Sequence, residues 1–109
     1  MAKFEYDSKS DILYVFKEGE KSRFSIEFFE NFIVDVGENG KVVGLEILNA
    51  SKELKLAKKE LEKVDAAEIA TVLNNKFYGV NYTIHFNKVT LESELRIPQV
   101  AATHTGLKR

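Results

Sequence analysis

Two apolar runs separated by Asn39-Gly40 constrain this chain more than any other feature. Asn-Gly suits a type I′ turn, which needs positive φ at both central residues, so Phe32–Leu48 reads as an antiparallel hairpin. A two-residue loop there pairs Val36 with Val43, Val34 with Leu45 and Phe32 with Ile47. All six share one face, and a one-residue slip would scatter them, so pattern and turn agree on the register. The second face carries Ile33, Asp35, Val42, Gly44, Glu46 and Leu48, with Asp35 opposite Gly44 and Glu46 as its diagonal neighbour.

Period-two alternation recurs elsewhere. Phe24, Ile26 and Phe28 point one way, Ser25 and Glu27 the other. Residues 3–6 and 12–16 read as short strands joined by Asp7-Ser8-Lys9-Ser10-Asp11, whose side chains can bond their own backbone. Tyr78, Val80, Tyr82, Ile84 and Phe86 alternate with Gly79, Asn81, Thr83 and His85. Val89, Leu91, Leu95 and Ile97 alternate with Thr90, Glu92, Glu94 and Arg96, so Asn87-Lys88 joins a hairpin with one dry and one wet face. Pro98 closes its last strand.

One helix is expected near residues 52–64. Ser51 can cap it, and Leu54, Ala57, Leu61 and Val64 form an apolar stripe at helical spacing. Residues 65–75 admit two readings. Asp65-Ala-Ala-Glu68 matches a capping box, and Ala66, Ile69, Ala70 and Leu73 fit a helical face. Alternatively Ile69, Thr71 and Leu73 form a strand that ends in an Asn74-Asn75 turn; local propensity favours helix. The fold class is α+β: about seven or eight short strands, mostly antiparallel, with one helix. Residues 1–98 read as a single domain and 99–109 as a mobile tail.

Composition narrows the function classes. The 109 residues include no cysteine, which excludes a disulfide scaffold, a zinc knuckle and a thiol nucleophile. Sixteen basic residues against seventeen acidic give a formal charge of -1, which argues against phosphate-driven nucleic-acid binding and against an anionic membrane surface. No apolar run approaches the roughly 18 residues of a membrane helix, and the N-terminus lacks the apolar centre of a signal peptide. The expected location is the cytoplasm. Abundant Lys and Glu with one Met hint at a thermophile, against which stand seven asparagines.

The polar residues offer few chemical constellations. Asp35 and Glu46 on one sheet face could act as an acid/base pair or as oxygen ligands for a hard cation, with Asp7, Asp11 or Asn49 adding further oxygens. The competing readings are a solvent- or dimer-facing surface for Asp35 and Glu46, and Asx-type turn bonding for Asp7 and Asp11. His85 faces the polar side opposite Thr90, with no motif for catalysis around it. No catalytic residue is assigned, and no cofactor is expected. Lys55, Lys58, Lys59 and Lys63 are diluted by Glu53, Glu60 and Glu62, so the helix face reads as ion-paired and solvated. The stray aromatics Phe28, Phe29 and Phe77 suggest a protein interface, and with it a homodimer.

The run Tyr6-Asp7-x-x-x-Asp11-x-Leu13-Tyr14-Val15, followed by Ile33-Val34-Asp35-Val36-x-x-Asn39-Gly40-x-Val42-Val43-Gly44-Leu45-Glu46-Ile47-Leu48-Asn49-Ala50-Ser51, resembles the small prokaryotic family catalogued as domain of unknown function 2283. The likeness covers about residues 4–54. Ile12, Gly37 and Asn49 depart from the family's usual Ala, Asp and Asp. The resemblance implies no established activity. It implies a short helix and an antiparallel meander ending in Ile-Pro, which tips residues 68–73 toward strand. It also implies a neighbouring small protein in a toxin–antitoxin-like pair, with this chain as the neutralising partner.

Overall fold

The computed structural model describes residues 2–98. Eight strands and two short helices follow in the order β1 (Ala2–Asp7), β2 (Ile12–Lys17), β3 (Phe24–Phe28), β4 (Phe32–Val36), β5 (Val42–Ile47), α1 (Ala50–Leu54), α2 (Lys58–Leu61), β6 (Val64–Leu73), β7 (Phe77–Phe86) and β8 (Val89–Pro98). All pairings are antiparallel. They build a five-stranded sheet, β1-β2-β5-β4-β3, and a three-stranded sheet, β6-β7-β8. The proposed tail, 99–109, lies outside the described residues.

The apolar faces of the two sheets close on one core. Leu13, Val15, Val34, Leu45 and Ile47 of the first sheet meet Ala67, Ile69, Val80, Tyr82 and Ile84 of the second. The helices add Ala50, Leu54 and Leu61. β6 packs against β1, β5 and β2. Strands of five or six residues span about 17–20 Å, those of ten residues about 33 Å. The second sheet therefore overhangs the first, and Leu73 and Val89 at its strand ends are exposed.

The hairpin register agrees with the sequence pattern from Phe32↔Ile47 to Asp35↔Gly44, then departs from it. Val36 pairs with Val42 rather than Val43, because a bulge follows Asp35. Val42 thus joins the core, while Val43 is buried outside it. The turn is not type I′: Gly40 has φ +79, and Asn39 is not left-handed. Gly40 N–H donates to Gly37 O at 3.1 Å and Gly37 N–H to Lys41 O at 2.8 Å, the three-residue loop with glycine in the left-handed position. The bulge frees the Val42 N–H, and Thr71 Oγ1 on β6 accepts it at 2.8 Å. The type I′ geometry occurs instead at Asn87-Lys88, φ 51 and 66, where Phe86 faces Val89.

The single helix expected over 52–64 is two. Lys55 takes φ 58 and its N–H bonds Lys52 O, which ends α1 after five residues. That break turns Leu56 toward the core, where helical spacing had placed Ala57; Ala57 is exposed. Glu60 reaches back to accept the Ala57 N–H at 2.8 Å and starts α2. Val64 already belongs to β6. The strand reading of 68–73 holds within β6, which pairs with β7 from Val64 to Leu73. No helix of the described residues is long and apolar enough to cross a membrane.

Candidate functional site

The strand order sets Tyr14 of β2, Gly44 and Glu46 of β5, Asp35 of β4 and Ser25 of β3 side by side on the outer face of the five-stranded sheet. Both Asp35 oxygens accept hydrogen bonds: Oδ1 from Ser25 Oγ at 2.6 Å and Oδ2 from Tyr14 Oη at 3.2 Å. These bonds run over Gly44. A Cβ there would lie 2.7 Å from Asp35 Oδ2 and 3.1 Å from Tyr14 Oη, so the residue opposite Asp35 has no room for a side chain. Burial pushes the Tyr14 phenol above its usual pKa, and the charges of Asp35 and Glu46 add to the shift. The Tyr14 ring also stacks on Phe16, with centroids 4.8 Å apart.

The four carboxylates raised as ligands do not converge. Glu46 and Asp7 border a shallow depression of about 310 Å³ together with Glu5, Tyr6, Ser10, Ile12 and Tyr14, and neither Asp35 nor Asp11 lines it. Asp7 is committed to its own turn, accepting from Lys9 N–H and Ser10 Oγ at 3.0 Å each. Among the described residues, no group of three or more His, Cys, Asp and Glu is arranged to hold a metal ion.

Asp11 does something the turn reading missed. Its side chain is buried, at 8% exposure, and its backbone is left-handed at φ 59. Three donors converge on its carboxylate: Tyr6 Oη at 2.7 Å, Ser51 Oγ at 2.6 Å and Ser51 N–H at 3.0 Å. Its backbone oxygen accepts the Ala50 N–H at 2.9 Å. Asp11 therefore takes the place of a cap for α1. Ser51, expected as the N-cap, lies inside that helix; Asn49 is the N-cap, with φ 51 and no side-chain cap bond. Burial alone would raise the Asp11 pKa. The bonds from Ser51 and Tyr6 outweigh it, and Lys58 adds a favourable charge, so the group titrates below the ordinary carboxylate range. The signal that could have exposed this cluster is the shared Tyr-x-x-x-x-Asp and Ala-Ser spacing of the two motifs. Taken singly, the motifs show only a turn and a cap.

His85 lies on the polar face of β7, with Nδ1 3.0 Å from Thr90 Oγ1. Of the aromatics expected at an interface, Phe29 is 62% exposed in a left-handed turn position, φ 52. Phe28 ends β3 opposite Phe32. Phe77 is half-buried, with the Arg96 guanidinium 4.6 Å over its ring. Phe24 is also 54% exposed. Alternation places it on the core face, but it sits on the edge strand at the margin of that face.

The five-stranded sheet and these two hydrogen-bonded clusters fall in the segment that a known family covers. The family described as protein of unknown function (DUF2283) matches residues 3–51, as the two motifs led us to expect. An uncharacterized protein of Methanocaldococcus jannaschii is 46% identical over 61 residues, which cover 56% of this chain and 52% of that protein. The match thus spans about half the length of that relative. A Methanosarcina mazei protein named "Putative hypoxanthine phosphoribosyltransferase" is 27% identical over 88 residues, 81% of this chain and 71% of that protein. No solved structure matches the chain significantly.

Proposed function

We propose that this chain is a non-enzymatic protein-interaction domain that acts as a homodimer in the cytoplasm. The observation that carries the reading is how its conspicuous groups are used. Asp35, Asp7 and Asp11 spend their oxygens on bonds within the chain. Phe24, Phe29, Leu73 and Val89 are meanwhile exposed at strand ends, on an edge strand and in the β3–β4 turn. Large apolar side chains in such positions favour contact with another protein, and Phe29 holds a conformation that bulky residues rarely adopt. Sedimentation equilibrium tests this: a monomer at every concentration refutes the homodimer.

A narrower version makes the chain the neutralising partner in a toxin–antitoxin-like pair. Co-expression with the product of an adjacent small reading frame tests it, and absence of such a frame sinks it. The alternative is a metal-binding or hydrolytic domain using Asp35 and Glu46. It draws support from both carboxylates facing the Tyr14 phenol. A thermal shift with a divalent cation that Asp35→Asn abolishes is the result this alternative requires. The phosphoribosyltransferase name belongs to a relative 27% identical, and the interaction reading takes nothing from it.

A further inference from the structure

Four strands end the two sheets: β1 and β3 in the first, β6 and β8 in the second. β1 and β6 lie against each other, with Ala2, Phe4 and Ala67 among the residues between them. β8 offers less to a second copy. Two-folds centred on Glu92, Ser93 or Glu94 set like carboxylates against each other, and one centred on Leu95 sets Arg96 against Glu94 only by exchanging a pair that the strand already makes. Arg96 is bonded to Glu94 within the strand, at 3.0 Å.

β3 is different. It has a single charged residue, Glu27, and Arg23 precedes it, held to the ladder by an N–H bond to Val36 O at 2.7 Å. Arg23, Ser25 and Glu27 are all exposed. Arg23 and Glu27 form no ion pair among the described residues. An antiparallel two-fold centred on Ser25 places Arg23 opposite Glu27 of the second copy, twice, and Phe24 opposite Ile26, twice. Both charges find an opposite, and the exposed Phe24 finds an aliphatic neighbour. Moving the axis to Glu27 sets the two carboxylates against each other.

We infer that β3 is the self-association edge, pairing antiparallel with β3 of a second copy about Ser25 to form a continuous ten-stranded sheet. The inference rests on the homodimer reading above and adds its location and register. A strand edge supplies unpaired backbone donors and acceptors, the general means by which one sheet extends another.

The chain has no cysteine, so Ser25→Cys introduces a lone thiol. Residues directly opposite in an antiparallel pair have Cα atoms about 4.5–5.5 Å apart, within disulfide reach. Glu27→Cys would set its two thiols four residues apart along the pairing, about 13 Å, and cannot bridge. Under mild oxidation Ser25→Cys should form a covalent dimer at least tenfold faster than Glu27→Cys. In sedimentation, Glu27→Arg and Arg23→Glu should each weaken dimerisation about tenfold, and the double swap should restore it. A monomeric wild type overturns both the dimer reading and this inference. A wild-type dimer that the single reversals leave intact, or equal oxidation of the two cysteine variants, overturns the β3 edge alone. Loss in the single variants without restoration in the swap overturns the register.

Discussion

Replacing Asp11 tests whether the family's two sequence motifs meet in one structural knot. Asp11→Ala leaves three donors without their acceptor: the Tyr6 hydroxyl, the Ser51 hydroxyl and the Ser51 N–H. An abandoned donor costs about 1–3 kcal/mol when buried. Tyr6 and Ser51 are only half-buried, so about 1 kcal/mol each is the better figure, or about 3 kcal/mol together. Asp11 is also left-handed at φ 59, which adds about 1 kcal/mol for alanine and little for asparagine. Asp11→Ala should therefore lose about 4 kcal/mol. Asp11→Asn keeps one oxygen but turns an amide N–H₂ toward a donor, and should lose about 2 kcal/mol. For a domain this size each kcal/mol moves Tm by about 4–8 °C, so Asp11→Ala should melt roughly 15–30 °C lower. Urea unfolding followed by circular dichroism measures the loss. A cost below about 1 kcal/mol for Asp11→Ala would refute the knot, as would strict additivity with Ser51→Ala in a double-mutant cycle. The pH dependence has a definite sign. The folded-state pKa of Asp11 is depressed, so its stabilisation is present above the unfolded carboxylate value of about 4 and lost as pH falls through the folded value. The gap between wild type and Asp11→Asn should accordingly narrow in acid.

Gly44→Ala should destabilise by about 1–3 kcal/mol, because its methyl would crowd Asp35 and Tyr14. Asp35→Ser in the same chain should recover part of that loss in thermal melts. Thr71→Val removes the acceptor of the Val42 N–H and should cost about 1–2 kcal/mol in urea, with faster hydrogen exchange at the Val42 amide. Burial raises the pKa values of Tyr78 and Tyr82 and, with neighbouring carboxylates, those of Tyr6 and Tyr14. Their stabilisation is complete below the unfolded tyrosine value of about 10 and lost as pH rises beyond it, so denaturant midpoints should fall steeply in alkali.

Alternation made the strands legible, because a strand with one buried face must repeat every two residues. It located Tyr78–Phe86 and Val89–Ile97 directly, and the Asn87-Lys88 turn with them. It failed where the period breaks. The bulge after Asp35 puts one residue out of step, and nothing in Val36–Val43 marks which valine turns inward. The stripe Leu54, Ala57, Leu61, Val64 fits a helix as well as it fits two helical turns followed by a strand; only the left-handed Lys55 separates them, and lysine gives no warning of that conformation. Opposition of Asp35 and Gly44 followed from register alone. The Tyr14 and Ser25 bonds to Asp35 did not, since they require the order β2-β5-β4-β3, which local pattern cannot supply.

The family match ends at Ser51, before the second sheet begins. Its polar residues nonetheless belong to a closed set of bonds: Tyr6, Asp11 and Ser51 beneath the first sheet, Tyr14, Asp35 and the side-chain-free Gly44 above it. Those positions fix how five short strands and a helical turn fit together. They leave one apolar face, with Leu13, Val15, Val34, Leu45 and Ile47 at its centre, that cannot stay in water. Burying five such side chains is worth on the order of 10 kcal/mol, comparable to the whole stability of a small domain. That face therefore needs a cover. Here the cover is β6-β7-β8, anchored by Thr71 on Val42 and by Tyr78 on Gly40. In this chain the matched segment thus forms a half-sandwich that the second sheet completes.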